Sequence, residues 1–308
     1  MQNANGEKIF IFYFFILFSL IICVKSYAAG ETTDTFLLVD IPARETALGG
    51  IYTPYYAEPG AADVDPAALA GITSRYAIFS NYISVFGTHY EQIMYIQPQE
   101  NSSAIGFSFM YDGNNQLAKT DQFGNPVGNI ANSDMTAGAM YAKDLTENIS
   151  AGMSLKLLNS TLYTSETFGA CGNIGFLYRN KERNYNLGLL LENIGITSEY
   201  WQDKTLLPVL ARGGYGMLIY SNKDQYSASL YIEEIFYLNE AESAETALGL
   251  EVKYLSFLTF RYGYVLGGNE GNLAVGLGIN WQYFTLDYAY KPFFISDNEH
   301  RITIKAEF

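Results

Sequence analysis

The sequence predicts an all-β fold, a transmembrane antiparallel β-barrel of about 14 strands with a small N-terminal segment lying against or inside it. Three observations carry this. From about Arg75 onward, apolar and polar residues alternate in segments of about ten residues. Aromatic residues gather at the ends of the apolar faces, at Tyr111, Tyr178, Tyr254, Tyr264, Trp281, Tyr288 and Tyr290. The last segment ends on Phe308. Alternation with period two places one set of side chains on each face of a sheet. Aromatic girdles mark the two interfaces of a membrane barrel, and closure satisfies the backbone hydrogen bonds that lipid cannot.

Residues 1–28 read as a secretory signal peptide. Lys8 precedes an unbroken apolar run, Ile9 to Val24, and Ser26 and Ala28 have the spacing of a small-residue cleavage site. The run is shorter than the ~20 residues a spanning helix needs. Cys23 follows the bulky Ile22 and so lacks the small preceding residue of a lipid-modified cysteine. Residues 29–74 do not alternate. They are rich in Ala, Gly and Pro, with short helical turns predicted at Ala43–Leu48 and Pro66–Gly71. A segment this small buries no core of its own, so it must pack on the rest of the chain.

Residues 75–308 form the barrel. Its strands are predicted at 75–86, 88–97, 102–111, 134–143, 149–159, 167–179, 185–194, 208–219, 225–235, 245–254, 257–266, 272–282, 283–291 and 300–308. Their number is even, as in bacterial barrels. In the clearest strand, Leu273, Val275, Leu277, Ile279 and Trp281 share one face, and Ala274, Gly276, Gly278 and Asn280 the other. Connections alternate in length. Short ones fall near 144–148, 180–183, 221–224 and 255–256, and long ones at 112–133, 195–207, 236–244 and 292–299. Short periplasmic turns and longer external loops produce that pattern. In the last strand Ile302, Ile304, Ala306 and Phe308 oppose Arg301, Thr303, Lys305 and Glu307, and the terminal aromatic is the C-terminal signal of an outer-membrane barrel.

Composition narrows the function classes. Residues 1–28 contain Glu7, Lys8 and Lys25, so the remainder holds 16 basic and 31 acidic side chains, a net charge of −15. A nucleic-acid partner needs a basic face and is excluded. Cys171 alone remains after cleavage, so no internal disulfide forms. His89 and His300 are far apart with no clustered ligands, and zinc needs three or four. Asp63 and Asp65 lack the ligand spacing of a calcium loop; Asp65 before Pro66 reads instead as a helix cap. The glycines at 267–271 come without the lysine and helix of a phosphate loop. No G-x-S-x-G elbow occurs. Neither a catalytic site nor a cofactor or metal site is predicted.

Charges on the polar parity are expected inside the barrel: Lys156, Glu192, Arg212, Glu251, Lys253, Arg261, Asp287, Arg301, Lys305 and Glu307. Facing lipid at the midplane, a Lys or Arg would cost ~2–4 kcal/mol. Glu251 with Arg261, and Asp287 with Lys305, lie on successive strands and are placed to pair. Mixed signs favour a salt-bridged lumen over an ion-selective ring.

The N-terminal motifs carry a resemblance. Ala43-Arg44, Ala47-Leu48-Gly49-Gly50 and Asp65-Pro66-Ala67-Ala68-Leu69-Ala70 resemble the signature of the PorV/PorQ family, outer-membrane barrels related to the FadL transporters. Leu48, Asp65 and Ala68 stand where that pattern has Met, Asn and Gly. Later stretches, NLGLLLENIG at 186–195, LPVLARGGY at 207–215 and LDYAY at 286–290, resemble the same family in order and spacing. The resemblance implies a hatch, residues 29–74, lodged in a fourteen-stranded barrel. It also implies a non-enzymatic role in secretion or assembly, with secreted cargo or secretion-system proteins as partners. The alternatives are FadL-like passage of a hydrophobic ligand, or a structural barrel. In each case outer-membrane lipid surrounds the wall.

Overall fold

The computed structural model describes residues 32, 34–84, 88–162, 165–198, 206–222, 225–239, 244–268, 272–293 and 298–308. The predicted signal peptide 1–28, Cys23 included, lies outside them. Fourteen strands follow one another in antiparallel order and close on themselves: β1 (Tyr76–Ile83), β2 (His89–Gln99), β3 (Ser103–Thr120), β4 (Pro126–Asp144), β5 (Ile149–Leu162), β6 (Ser165–Asn180), β7 (Tyr185–Thr197), β8 (Leu210–Asn222), β9 (Tyr226–Tyr237), β10 (Glu245–Tyr254), β11 (Leu258–Leu266), β12 (Leu273–Trp281), β13 (Phe284–Lys291) and β14 (Glu299–Glu307). The first strand pairs with the last, Tyr76 opposite Glu307 and Ile83 opposite His300. Every predicted strand is present.

One connection departs from the expected loops. Most of 112–133 continues β3 and β4 as a long hairpin, with a register shift between Asn114 and Leu117. Its tip is organised by Asp121, whose Oδ1 accepts from the backbone N–H groups of Phe123 (2.8 Å) and Asn125 (2.9 Å). This side-chain turn reverses the chain without apolar patterning, and polar strands above a membrane need none.

The outward face is apolar and unburied. Ile93, Phe107, Leu155, Leu157, Leu189 and Phe260 are each more than half exposed. A belt of this kind belongs in hydrocarbon, and closure pairs each strand with a neighbour on both sides over most of its length. These features are those of an outer-membrane barrel. One rim carries the short turns and the C-terminus; on a bacterial barrel this is the periplasmic side.

Residues 34–74 pack against the inward parity of the wall. They contain a single α-helical turn, α1 (Ala43–Ala47), and 3₁₀ turns at Thr35–Leu38, Pro59–Ala61 and Pro66–Leu69. Gly49 and Gly50 adopt φ of 86° and 78°, the left-handed region, and turn the chain after α1. The inward faces are not uniformly polar. On β1–β4, Ile78, Met94, Ile96 and Met140 are buried against Leu69, Ala70 and Ile72. A second cluster joins Leu48, Ile51, Tyr52 and Tyr55 to Ala247 of β10.

Candidate functional site: the occupied lumen

Charged groups join the luminal segment to the wall at several places among the described residues, and three clusters hold most of them. The largest is a ring of alternating sign. Arg44 reaches Glu251 of β10 (3.2 Å), and Glu251 reaches Arg261 of β11 (2.7 Å). Arg261 reaches Asp287 of β13 (2.7 Å), Asp287 reaches Lys305 of β14 (3.2 Å), and Lys305 reaches Glu58 (3.1 Å). Glu58 closes the ring on Arg44 at 3.4 Å. Four members belong to the wall and two to the segment, so the pairs that neutralise the lumen also anchor the segment. Charges buried in this way are tolerated because each is paired and hydrogen-bonded.

The second cluster is built on Arg212 of β8. Its Nε donates to Glu192 of β7 (2.8 Å), and its Nη1 to Glu233 of β9 (3.1 Å) and to the Gly50 carbonyl (3.1 Å). Glu233 in turn accepts from the N–H groups of Tyr52 (3.1 Å) and Thr53 (2.7 Å) and from the Thr53 hydroxyl (2.7 Å). In the third, Lys156 of β5 donates to Asp63 at 2.8 Å, while the Asn173 amide donates to the Val64 carbonyl at 2.7 Å.

Most of the lumen charges named from sequence sit in these clusters, and three do not. Lys253 is half exposed at the short-turn rim, 3.7 Å from Glu251; Arg301 of β14 reaches Glu299 at 2.9 Å and the Asp40 carbonyl at 2.6 Å; Glu307 is half-buried and lines the cavity at the short-turn rim. Among the motif residues, Ala43 donates its N–H to Thr303 Oγ1 (2.9 Å), and Ala67 donates its N–H to Asp65 Oδ1 (2.9 Å). Pro66 opens the 3₁₀ turn that Asp65 caps, and Leu69 is fully buried. Phe308 is exposed at the outer surface, its ring 6.4 Å from that of Tyr95.

Sequence reasoning missed Glu58 and Glu233. Glu58 precedes Pro59 and accepts from the Gly60 N–H at 3.3 Å, the same cap-and-proline signal that marks Asp65. Glu233 is adjacent to Glu234 in β9, and both are buried. A pair of neighbouring acids does not reveal which one faces inward; the register does, because Glu233 lies opposite Gly214 and Ala247, whose inner sides meet the luminal segment.

Burial and pairing set the luminal acids apart. Glu45 is fully buried, which pushes its carboxyl up to about 7 against the pull of Arg44. Burial would also raise Glu58, but Lys305 and Arg44 outweigh it and hold that carboxyl down to about 2. Burial pushes Asp65 well above the ordinary carboxylate value against the hydrogen bond from Ala67.

Toward the long-loop rim apolar clusters stand beside buried polar groups such as Asp112, Asp134 and Glu299. Phe36 and Ile41 pack with Tyr82 and Met110. Leu37 meets Leu158, Cys171 and Leu207. A cavity of about 30 Å³ bounded by Phe36, Leu37, Ile41 and Met110 on one side and by Gln92, Thr136 and Lys156 on the other holds a water or two. The wall changes at the same height. The β7–β8 ladder ends at Glu192 opposite Leu210, while β7 continues to Thr197. β6 and β7 shift register between Gly172 and Ile174, and Asn193 adopts φ of 59°. The Asn193 amide donates to the Pro208 carbonyl at 3.1 Å where the ladder has stopped, and the neighbouring Leu207 enters the apolar cluster. Among the described residues no group of three or more His, Cys, Asp or Glu is arranged to hold a metal.

No family model matches the chain, and no curated protein sequence matches it. Solved structures do. The monoaromatic hydrocarbon channel CymD superposes with a TM-score of 0.61 at 12% identity, covering 88% of this chain and 98% of its own. The Pseudomonas putida toluene transporter TodX gives 0.57 at 12% identity, over 85% and 96%. A Pseudomonas aeruginosa FadL homologue gives 0.57 at 11% identity, over 92% and 99%. This chain has the closed β-barrel fold of these three proteins.

Proposed function

We propose that the protein passes hydrophobic small molecules across the outer membrane, entering from the long-loop side and leaving through the wall or the periplasmic mouth. The observation that carries this reading is the apolar cluster of Leu37, Leu158, Cys171 and Leu207, set where the β7–β8 ladder stops. A greasy solute gains about 25 cal/mol for each Å² of apolar surface it removes from water, so such a cluster attracts it. A wall without a ladder lets it pass toward lipid without breaking strand hydrogen bonds. The space is closed in this conformation, so passage requires the Thr35–Leu38 turn or Leu207 to move. The names of the channels that share the fold support the same solute class.

The test is uptake of labelled toluene by proteoliposomes. Leu207→Glu puts a charge in the apolar cluster and is expected to cut uptake at least about tenfold, since burying an unpaired carboxylate is costly. Uptake equal to that of the unaltered protein, with the barrel intact by heat-modifiable gel mobility, would remove the reading.

A role in secretion is the second reading, favoured by the motif resemblance at Ala43–Gly50 and Asp65–Ala70. Cross-linking in native outer membrane separates the two. Recovery of secreted cargo or secretion proteins favours this second role.

A further inference from the structure

We propose that the cavity at the short-turn mouth of the barrel binds a small oxyanion, a carboxylate or a phosphate. The cavity has a volume of about 180 Å³, room for several waters or one small organic anion. Four cations line it, Arg44, Lys253, Arg261 and Lys305, against two carboxylates, Glu58 and Glu307. The lining carries two more cations than carboxylates, with Glu251 and Asp287 standing directly behind it. Glu251 and Asp287, which pair with Arg261, do not contribute to the lining, so they hold the cations in place without covering them.

Donors remain free. Arg261 commits Nε and Nη1 to the wall carboxylates and leaves Nη2 without an acceptor among the described residues. Lys253 is half exposed, and among the described residues its nearest carboxylate oxygen, on Glu251, is 3.7 Å away, beyond hydrogen-bonding range. Thr259 stands directly opposite Lys253 across the β10–β11 ladder. Its side chain lines the cavity at 1% exposure, and its hydroxyl oxygen has no partner among the described residues. A buried hydroxyl left without a partner is costly, and an anion seated between Lys253, Thr259 and Arg261 would satisfy it. Charge-assisted hydrogen bonds from an ammonium and a guanidinium are the strong kind. The site stands on these groups alone and does not depend on the transport reading.

The experiment is calorimetric titration of the full chain in detergent, in a low-chloride buffer, with inorganic phosphate in one arm and succinate in the other. Saturable binding in either arm is expected, and the arm that responds identifies the anion. Lys253→Gln and Thr259→Val should each weaken it about tenfold, and Lys181→Gln, on the exposed β6–β7 turn of the same rim, should leave it unchanged. Should Lys253→Gln fail to assemble, Thr259→Val decides, because it removes only the hydroxyl from an unchanged shape. No saturable binding in either arm, or affinity unaltered in the assembled variants, overturns the proposal.

Discussion

At the scale of single residues, the lumen separates acids that keep their charge from acids that lose it. Glu58 faces Lys305 and Arg44 and stays ionised; Glu45, two residues from the Ala43 N–H that binds Thr303, is buried with one carboxyl oxygen unpartnered. Its carboxyl therefore holds a proton up to about pH 7, against an ordinary value of 4.5. An acid that binds its proton more tightly folded than unfolded makes the fold lose stability as pH rises between those two values. The unaltered protein should weaken from about pH 4.5 to 7, measured as the urea midpoint in detergent. Glu45→Gln should flatten that decline. Equal slopes for the two proteins would show that Glu45 does not titrate there.

At the scale of elements, the seat of the luminal segment is made by glycine. On β5, β7 and β11 the inward Gly152, Gly188 and Gly263 lie so close to the segment that a Cβ would meet backbone atoms of Ala67, Thr53 and Gly49 respectively. No side chain can yield at such contacts, so the segment itself must shift. Gly188→Val is accordingly expected to unseat residues near Thr53 while the strands still close. The readout is limited proteolysis: Arg44, buried in the unaltered protein, should become a trypsin site in the variant, with the barrel core resistant. Protection identical to that of the unaltered chain would place the segment's hold elsewhere, in the ion-pair ring. The β3–β4 hairpin teaches a related lesson. Its outer half lacks the apolar parity that lipid imposes, so nothing in the local pattern of 112–133 distinguishes it from a loop.

At the scale of the whole molecule, two neighbouring residues on β5 summarise the architecture. Leu155 is 60% exposed to the outside, and Lys156 is buried against Asp63. Moving a positive charge by one position moves it from a paired luminal site to hydrocarbon. Leu155→Arg should therefore cost ~2–4 kcal/mol in folding free energy into vesicles. A cost near zero would mean that this face does not meet lipid.

Alternation by itself determined the strand number, the membrane-facing parity and the pairing of Glu251 with Arg261, because a period of two is a local property that a ladder converts directly into two faces. The cap at Asp65–Pro66 was legible for the same reason, being complete within three residues. The tertiary structure decided what fills the barrel. Met94, Ile96 and Met140 face inward as apolar residues only because Leu69 and Ile72 cover them, and Glu58 joins the wall's charges from far away in the chain. Such contacts depend on where a segment without periodicity comes to rest, and closure of the barrel is what brings its partners within reach.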